Sequence, residues 1–247
     1  PDNRLAIKTA SILNIYNGAT FDNFYHDKNP EYKWNYWRLP KEYYDQTDRI
    51  WMKERDNLLT FDLKTNQYNY NIDGELKQMG VDKKIKNLFI HNSENFWFVT
   101  ENDDFLFYDI SQKTLHTITA GTDSFVKEYG IPREMAQYKN FCWVVYSSGL
   151  IRCWDYTSCE FVSQDTHLLN VIDDSTDRLY IHTTNTGDVW LMHNKTVSLY
   201  NRTNQSWQEI TRISGHSSFF TCMDIDAKGD VWIGTSSGEL RHIDHNT

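Results

Sequence analysis

Apolar and polar positions alternate in short runs along this chain, and the runs recur with a long period. A mostly bulky apolar residue follows a polar or turn residue; ten or eleven residues later comes an aromatic residue or Ile, followed by Asp or Asn. The first position is Trp51, Trp97, Trp143, Trp190 and Trp232, with Ala6 in the equivalent place at the start. The second is Tyr16-Asn17, Phe61-Asp62, Tyr108-Asp109, Trp154-Asp155, Tyr200-Asn201 and Ile243-Asp244. The Trp-to-Trp steps are 46, 46, 47 and 42 residues. A period of this length, written in short strands, predicts one four-stranded propeller blade per repeat.

The third unit is the clearest, with strands at 86–91, 96–101, 105–110 and 114–118 and Asn/Asp-rich turns between them, the usual hairpin signal. The second unit reads as 49–54, 58–62 and 67–71, with its innermost strand near 32–38. The fourth reads as 141–146, 150–154 and 160–163 after a weakly written first strand at 135–138, and the fifth as 178–183, 188–193, 196–200 and 207–210. The first unit, 4–8, 12–16 and 21–25, lacks an innermost strand; the sixth, 220–226, 230–235 and 239–243, lacks an outermost one. The expectation is an all-β propeller of six units, about 1–30, 31–72, 85–118, 135–165, 177–210 and 219–247, forming a single domain or fragment over 1–247. It is either an arc of a seven-bladed or larger propeller or an imperfect six-bladed one. The linkers 26–48, 73–84, 119–134 and 211–218 exceed hairpin turns and belong on the face where propellers usually bind partners. Helix is expected to be nearly absent.

The repeated residues have structural roles first. An indole on the second strand fills the wedge between neighbouring sheets, a burial that stabilises by roughly 1.5–3 kcal/mol. The Asp or Asn after the third strand starts the turn by accepting backbone N–H bonds. Gly149, Gly187, Gly229 and Gly238 read as turn residues with positive φ.

Composition narrows the classes. The 247 residues carry 34 acidic and 25 basic side chains, a net charge of -9, with none of the basic striping a nucleic-acid surface needs. Cys142, Cys153, Cys159 and Cys222 show no CxxC and no zinc-type spacing with His; they read as buried free thiols, and no metal or cofactor is implied. Neither a signal peptide nor an apolar span of 18 residues is written. A chain that begins at Pro1 and ends within a repeat reads as a piece of something longer.

Residues 228–244, Lys-Gly-Asp-Val-Trp-Ile-Gly-Thr-Ser-Ser-Gly-Glu-Leu-Arg-His-Ile-Asp, resemble the two-component regulator propeller repeat. That repeat has a Gly-(Asn/Asp)-apolar-Trp-(Ile/Val)-Gly-Thr core, then Gly-Leu and an aromatic-Asp pair. Thr186-Gly-Asp-Val-Trp-Leu191 keeps its first half, while Arg49-Ile-Trp-Met52 and Asn95-Phe-Trp-Phe98 keep only its centre. The resemblance implies the periplasmic sensor region of an inner-membrane hybrid histidine kinase of Bacteroides type. It further implies an oligosaccharide ligand, control of polysaccharide-utilisation genes, neighbouring propeller and β-sandwich domains, and a homodimer in the full-length protein. No residue here performs phosphotransfer.

Sugar recognition needs aromatic platforms beside polar groups. The densest such stretch is 32–38, from which Trp37 and Arg38 are candidates, followed by Tyr43 and Tyr44 in what reads as a loop. Arg133, Glu134 and Tyr138 lie at or before the fourth unit's first strand; His182 lies on an inner strand and His216 in a Ser-Gly-His-Ser-Ser loop. Two further readings compete with the sensor. A propeller glycosidase or lyase would cluster acids or His around the channel, and His91, His182, Asp224 and Asp226 are a thin set for that. A passive interaction scaffold would instead offer a broad blade face.

Overall fold

The computed structural model describes residues 5–8, 12–25, 41–54, 57–91, 93–172, 177–214 and 218–244. Its strands form six antiparallel sheets, each a meander in chain order, as blades of a β-propeller. The first sheet has three strands, β1 (Leu5–Lys8), β2 (Ile12–Tyr16) and β3 (Phe21–Tyr25). The second has β4 (Lys41–Tyr44), β5 (Arg49–Glu54), β6 (Asn57–Asp62) and β7 (Gln67–Asn69). The third has β8 (Ile85–Ile90), β9 (Asn95–Thr100), β10 (Phe105–Asp109) and β11 (Thr114–Thr119). These lie in one compact unit, Pro1–Thr122, and the other three in a second, Asp123–Thr247. There the fourth sheet has β12 (Pro132–Tyr138), β13 (Phe141–Tyr146), β14 (Ile151–Asp155) and β15 (Glu160–Asp165). The fifth has β16 (Leu179–Thr183), β17 (Val189–His193), β18 (Thr196–Asn201) and β19 (Ser206–Arg212), and the sixth β20 (Phe220–Ile225), β21 (Val231–Thr235) and β22 (Leu240–Ile243).

Period-two alternation sends successive side chains of each strand to opposite faces, and both faces of the middle sheets are apolar. In the first unit, Leu13 and Ile15 meet Ile50, Met52, Leu59 and Phe61 between the first and second sheets. Trp51, on the other face of β5, joins Leu88, Phe96, Phe98 and Tyr108 between the second and third. In the second unit, Trp143, Val145 and Ile151 meet Ile181, Val189 and Leu191 between the fourth and fifth sheets. Trp190 and Met192 meet Phe220, Met223, Val231 and Ile233 between the fifth and sixth.

The repeated indoles therefore share one orientation. Trp51, Trp143 and Trp190 each point at the next sheet in sequence. Trp97 is fully buried on the face of β9 opposite Phe96 and Phe98, stacked on Phe105 at 5.0 Å. Trp232 lies opposite Val231 and Ile233 and is 38% exposed. Where the first unit has Ala6, the ring against Phe61 comes from Phe24, at 4.9 Å between centroids.

The carboxylates and amides after the third strands cap turns as the sequence predicts. Asn17 Oδ1 accepts from the amides of Ala19 and Thr20, Asp62 Oδ1 from Lys64 and Thr65, Asp109 Oδ1 from Gln112, Asp155 Oδ1 from Thr157, and Asn201 Oδ1 from Thr203 and Asn204.

Two expectations need correction, and helix is confined, among the described residues, to two short segments. The described inner strand of the second sheet is Lys41–Tyr44; residues 32–38 lie outside the described residues. The fourth sheet's first strand is the seven-residue Pro132–Tyr138, with a bulge between Pro132 and Glu134 that hides its alternation. Two linkers hold short helices. The helix α1 (Asp73–Gln78) is pinned by buried Leu76 and by Glu75, which pairs with Arg49 at 2.8 Å. The helix α2 (Ser124–Tyr129) starts where the Asp123 carboxylate accepts the Phe125 amide and stops at Gly130, φ 75°.

Candidate functional site

The inner strands of the second unit bring the most chemistry together. Consecutive inner strands β12 and β16 are tied by the Thr183 hydroxyl, which donates to the Gln137 carbonyl at 2.6 Å. On β16, Tyr180 and His182 are two apart and share a face, with Tyr180 packed at the edge of the core toward the sixth sheet. On β20, Cys222 and Asp224 do likewise, opposite Gly234 and Trp232 of β21. His182 Nδ1 lies 4.0 Å from Asp224 Oδ1. Burial pushes the His182 pKa below its ordinary value, against the pull of the Asp224 and Glu134 carboxylates. Burial also raises the Tyr180 hydroxyl, and the Glu134 charge adds to it. His182 beside Asp224, with the Glu134 charge acting on both His182 and Tyr180, offers groups that can accept and donate hydrogen bonds to a hydroxyl-rich ligand. Among the described residues no group of three or more His, Cys, Asp and Glu is placed to hold a metal ion.

The other candidates separate. Arg133 sits in the β12 bulge, and a bulge re-aims the side chains it carries. Its guanidinium donates to the Asp177 carbonyl, while the Asp177 carboxylate holds His193 Nε2 at 2.7 Å and Asn194 Nδ2 at 2.6 Å. Arg133 is thereby drawn into a strap between the fourth and fifth sheets. Tyr138 packs across those sheets too. Its ring lies 4.9 Å from Lys139 Nζ and 5.7 Å from the Arg202 guanidinium, and a Cβ on Gly187 would lie 2.3 Å from Tyr138 Cε1.

Tyr43 and Tyr44 are not loop residues. They lie on β4 opposite Trp51 and Ile50, and each packs against a core cluster, Tyr43 beside Phe89 at 6.4 Å. The alternation that puts Trp51 and Ile50 on opposite faces of β5 does the same for their partners, so neither ring is a free platform. Trp37, Arg38 and His216 lie outside the described residues. Asp226 caps the hairpin before β21 by accepting the Lys228 and Asp230 amides. Tyr180 and Cys222 were missed by sequence reasoning. The available signal was their i, i+2 spacing with His182 and Asp224 on predicted inner strands.

No protein-family model matches the sequence, and no curated protein matches it. Among solved structures, the fold is similar to the extracellular domain of BT3049 from B. thetaiotaomicron, described as a hybrid two-component system. The TM-score is 0.64 at 14% identity, over 98% of this chain and 32% of that one. The extracellular domain of BT4673 from the same organism is described as a one-component system in one structure and a hybrid two-component system in another. The TM-scores are 0.66 and 0.64 at 15% and 14% identity, over 99% of this chain and 34% and 32% of those. The chain thus spans about a third of the length of these structures. It is also similar to YCF48 bound to D1 peptide, with a TM-score of 0.60 at 13% identity over 98% of this chain and 74% of that one. Among the described residues no helix is long and apolar enough to cross a membrane. At these identities the likeness establishes the fold: the chain is a β-propeller resembling the extracellular domains of two-component and one-component regulatory systems.

Proposed function

We propose that this chain is the ligand-sensing propeller of a hybrid two-component histidine kinase, lying in the periplasm as part of an inner-membrane protein. Its ligand in this reading is an oligosaccharide, and its output the control of polysaccharide-utilisation genes. The supporting observation is the likeness to extracellular domains of such systems across 98–99% of the chain, joined to the repeat written at 228–244. Glu134, Tyr180, His182 and Asp224 are the binding residues we assign. The six blades belong, in this reading, to one propeller beside further propeller and β-sandwich domains of a dimeric protein. The ligand acts by binding one arrangement of the dimer better than another, since only differential affinity moves such an equilibrium.

The test is calorimetric titration of the full periplasmic region against a panel of oligosaccharides. One glycan is expected to bind saturably, and His182→Ala and Asp224→Asn to weaken it about tenfold or more, the scale of one lost hydrogen bond to a charged group. A panel with no saturable binder removes the sensor assignment. The similarity to YCF48 bound to D1 peptide favours a second reading, a scaffold that holds an extended peptide; saturable peptide binding with no glycan binding would select it.

A further inference from the structure

The inner strands β16 and β20 lie side by side within the second unit, and three pairs of side chains meet along them. At one end, just before each strand begins, the Arg178 guanidinium lies over the Phe219 ring, 5.9 Å from its centroid. In the middle, Tyr180 sits close enough to Cys222 for a charge on that sulfur to raise its hydroxyl. At the other end His182 Nδ1 is 4.0 Å from Asp224 Oδ1. Arg178, Tyr180 and His182 fall on one side because side chains two apart do. On β20, Phe220 and Met223 both point into the core. They are three apart because the strand bulges between Phe220 and Cys222, which keeps Phe219, Cys222 and Asp224 together on the opposite side. The row spans about 13 Å, longer than one sugar ring.

Its two ends differ in charge. Glu134 and Asp224 both act on His182. Among the described residues no carboxylate pairs with Arg178; that of its neighbour Asp177 is taken by His193 and Asn194. Ser236 fixes Phe219 beneath the guanidinium. Its hydroxyl accepts the Phe219 amide at 3.1 Å, and its own amide donates to the Phe219 carbonyl at 2.9 Å. A guanidinium seated over a ring gives none of its N–H donors to the ring, so its fork stays available for two parallel bonds to one carboxylate.

We propose that Arg178 and Phe219 form an acid-binding subsite at one end of the ligand site. The oligosaccharide then lies along β16 and β20 with a uronic acid on Arg178 and uncharged sugars on Tyr180 and His182. The direction is set twice, because Arg178 attracts the carboxylate and the charges of Glu134 and Asp224 repel it from the far end. This inference rests on the reading of the chain as a glycan sensor.

The test titrates the full periplasmic region with matched pairs of oligosaccharides, each uronate-bearing member set against its carboxyl-reduced counterpart. In one pair the acidic member is expected to bind about tenfold or more tighter, the scale of a charge-assisted hydrogen-bonded pair. Arg178 is an exposed side chain, so Arg178→Gln is expected to keep a urea midpoint close to the parent's while erasing that preference. Arg178→Lys, which keeps the charge and loses the fork, should retain only part of it. A pair bound equally well, or a preference that survives Arg178→Gln, overturns the subsite and leaves the sensor reading standing. A panel in which neither member of any pair binds removes the sensor reading, and the subsite falls with it.

Discussion

The Asp45 carboxylate accepts the indole N–H of Trp51 at 2.8 Å, with both side chains essentially removed from solvent. The same carboxylate takes the Thr47 amide at 2.9 Å and hydroxyl at 2.7 Å, and Arg49 Nε at 3.0 Å. Six residues separate acceptor and indole, and the spacing recurs in the sixth sheet, where Asp226 Oδ2 accepts from Trp232 Nε1 at 3.2 Å. A hairpin carboxylate at the end of an inner strand thus sets the depth of an indole on the next strand. Removing Asp45 strands a buried indole N–H and takes from the Arg49 guanidinium one of its two carboxylate partners, leaving it Glu75. Asp45→Ala is expected to cost about 3 kcal/mol, read as a fall in the urea midpoint. Asp226→Ala, at the exposed counterpart, should barely move it. Equal losses at the two sites would sink the burial argument.

Acid should weaken the protein through Asp45 and through His182. Burial alone would raise the Asp45 carboxyl, but the hydrogen bonds from Trp51 and Thr47 and the Arg49 charge hold it below its ordinary value. Its stabilisation is therefore complete above its unfolded pKa, about 3.9, and is lost as pH falls through the folded one. His182 also titrates lower in the folded protein, because burial disfavours the imidazolium. The unfolded chain then binds the extra proton first, so stability declines as pH drops below about 6.5 and levels off past the folded pKa. Glu42, pushed up to about 7 by burial, works the other way between about pH 7 and 4.5. The His182 contribution is therefore read as the difference in urea midpoint between the parent chain and His182→Gln from about pH 8 to about pH 3; a difference that does not change as pH falls below about 6.5 would refute the assignment.

Two glycines with left-handed backbones separate conformational strain from crowding. Gly149 has φ +91°, and a Cβ there would lie 1.9 Å from the Leu168 carbonyl oxygen. Gly238 has φ +84° and open space. Gly238→Ala pays only the left-handed penalty, about 1 kcal/mol. Gly149→Ala must also displace main chain, for a total of about 3 kcal/mol. The difference between their unfolding midpoints checks this.

What repeats was readable in the sequence, and what occurs once was not. The Trp series and the aromatic-Asp pairs gave the blades because each residue does the same work in successive interfaces, so chance matches cancel and the period remains. The inner strand of the second sheet was misplaced because aromatic alternation at 32–38 looks more strand-like than Lys41–Tyr44 does. The helices α1 and α2 span six residues each, too short for a 3.6-residue period to declare itself. Of the candidate site, His182 and Glu134 were named, but Tyr180 was not, because a lone Tyr on a strand looks like core until its neighbours are known. Arg133 and Tyr138 were named for their place at the start of the fourth sheet; that a bulge ties Arg133 to Asp177 and that Tyr138 packs beside Lys139, Arg202 and Gly187 is not written in the sequence.

The four thiols should divide evenly by reactivity. Cys142 pairs with Trp154 across β13 and β14, and Cys153 with Trp143. The two cysteines are on neighbouring strands but opposite faces, an arrangement no disulfide spans without backbone movement. The sequence led us to expect buried free thiols; all four are free, but Cys159 and Cys222 are exposed. Burial pushes the Cys153 thiol up to about 12, and raises that of Cys142 as well. Thiolate is the reactive form, so an aromatic disulfide reagent at neutral pH should titrate Cys159 and Cys222 in the folded 247-residue chain. Cys142 and Cys153 should react only at the rate of unfolding. Air oxidation of the Cys159→Ser, Cys222→Ser double variant should leave both remaining thiols free, and a stoichiometric Cys142–Cys153 disulfide formed under native conditions would contradict the register of β13 and β14.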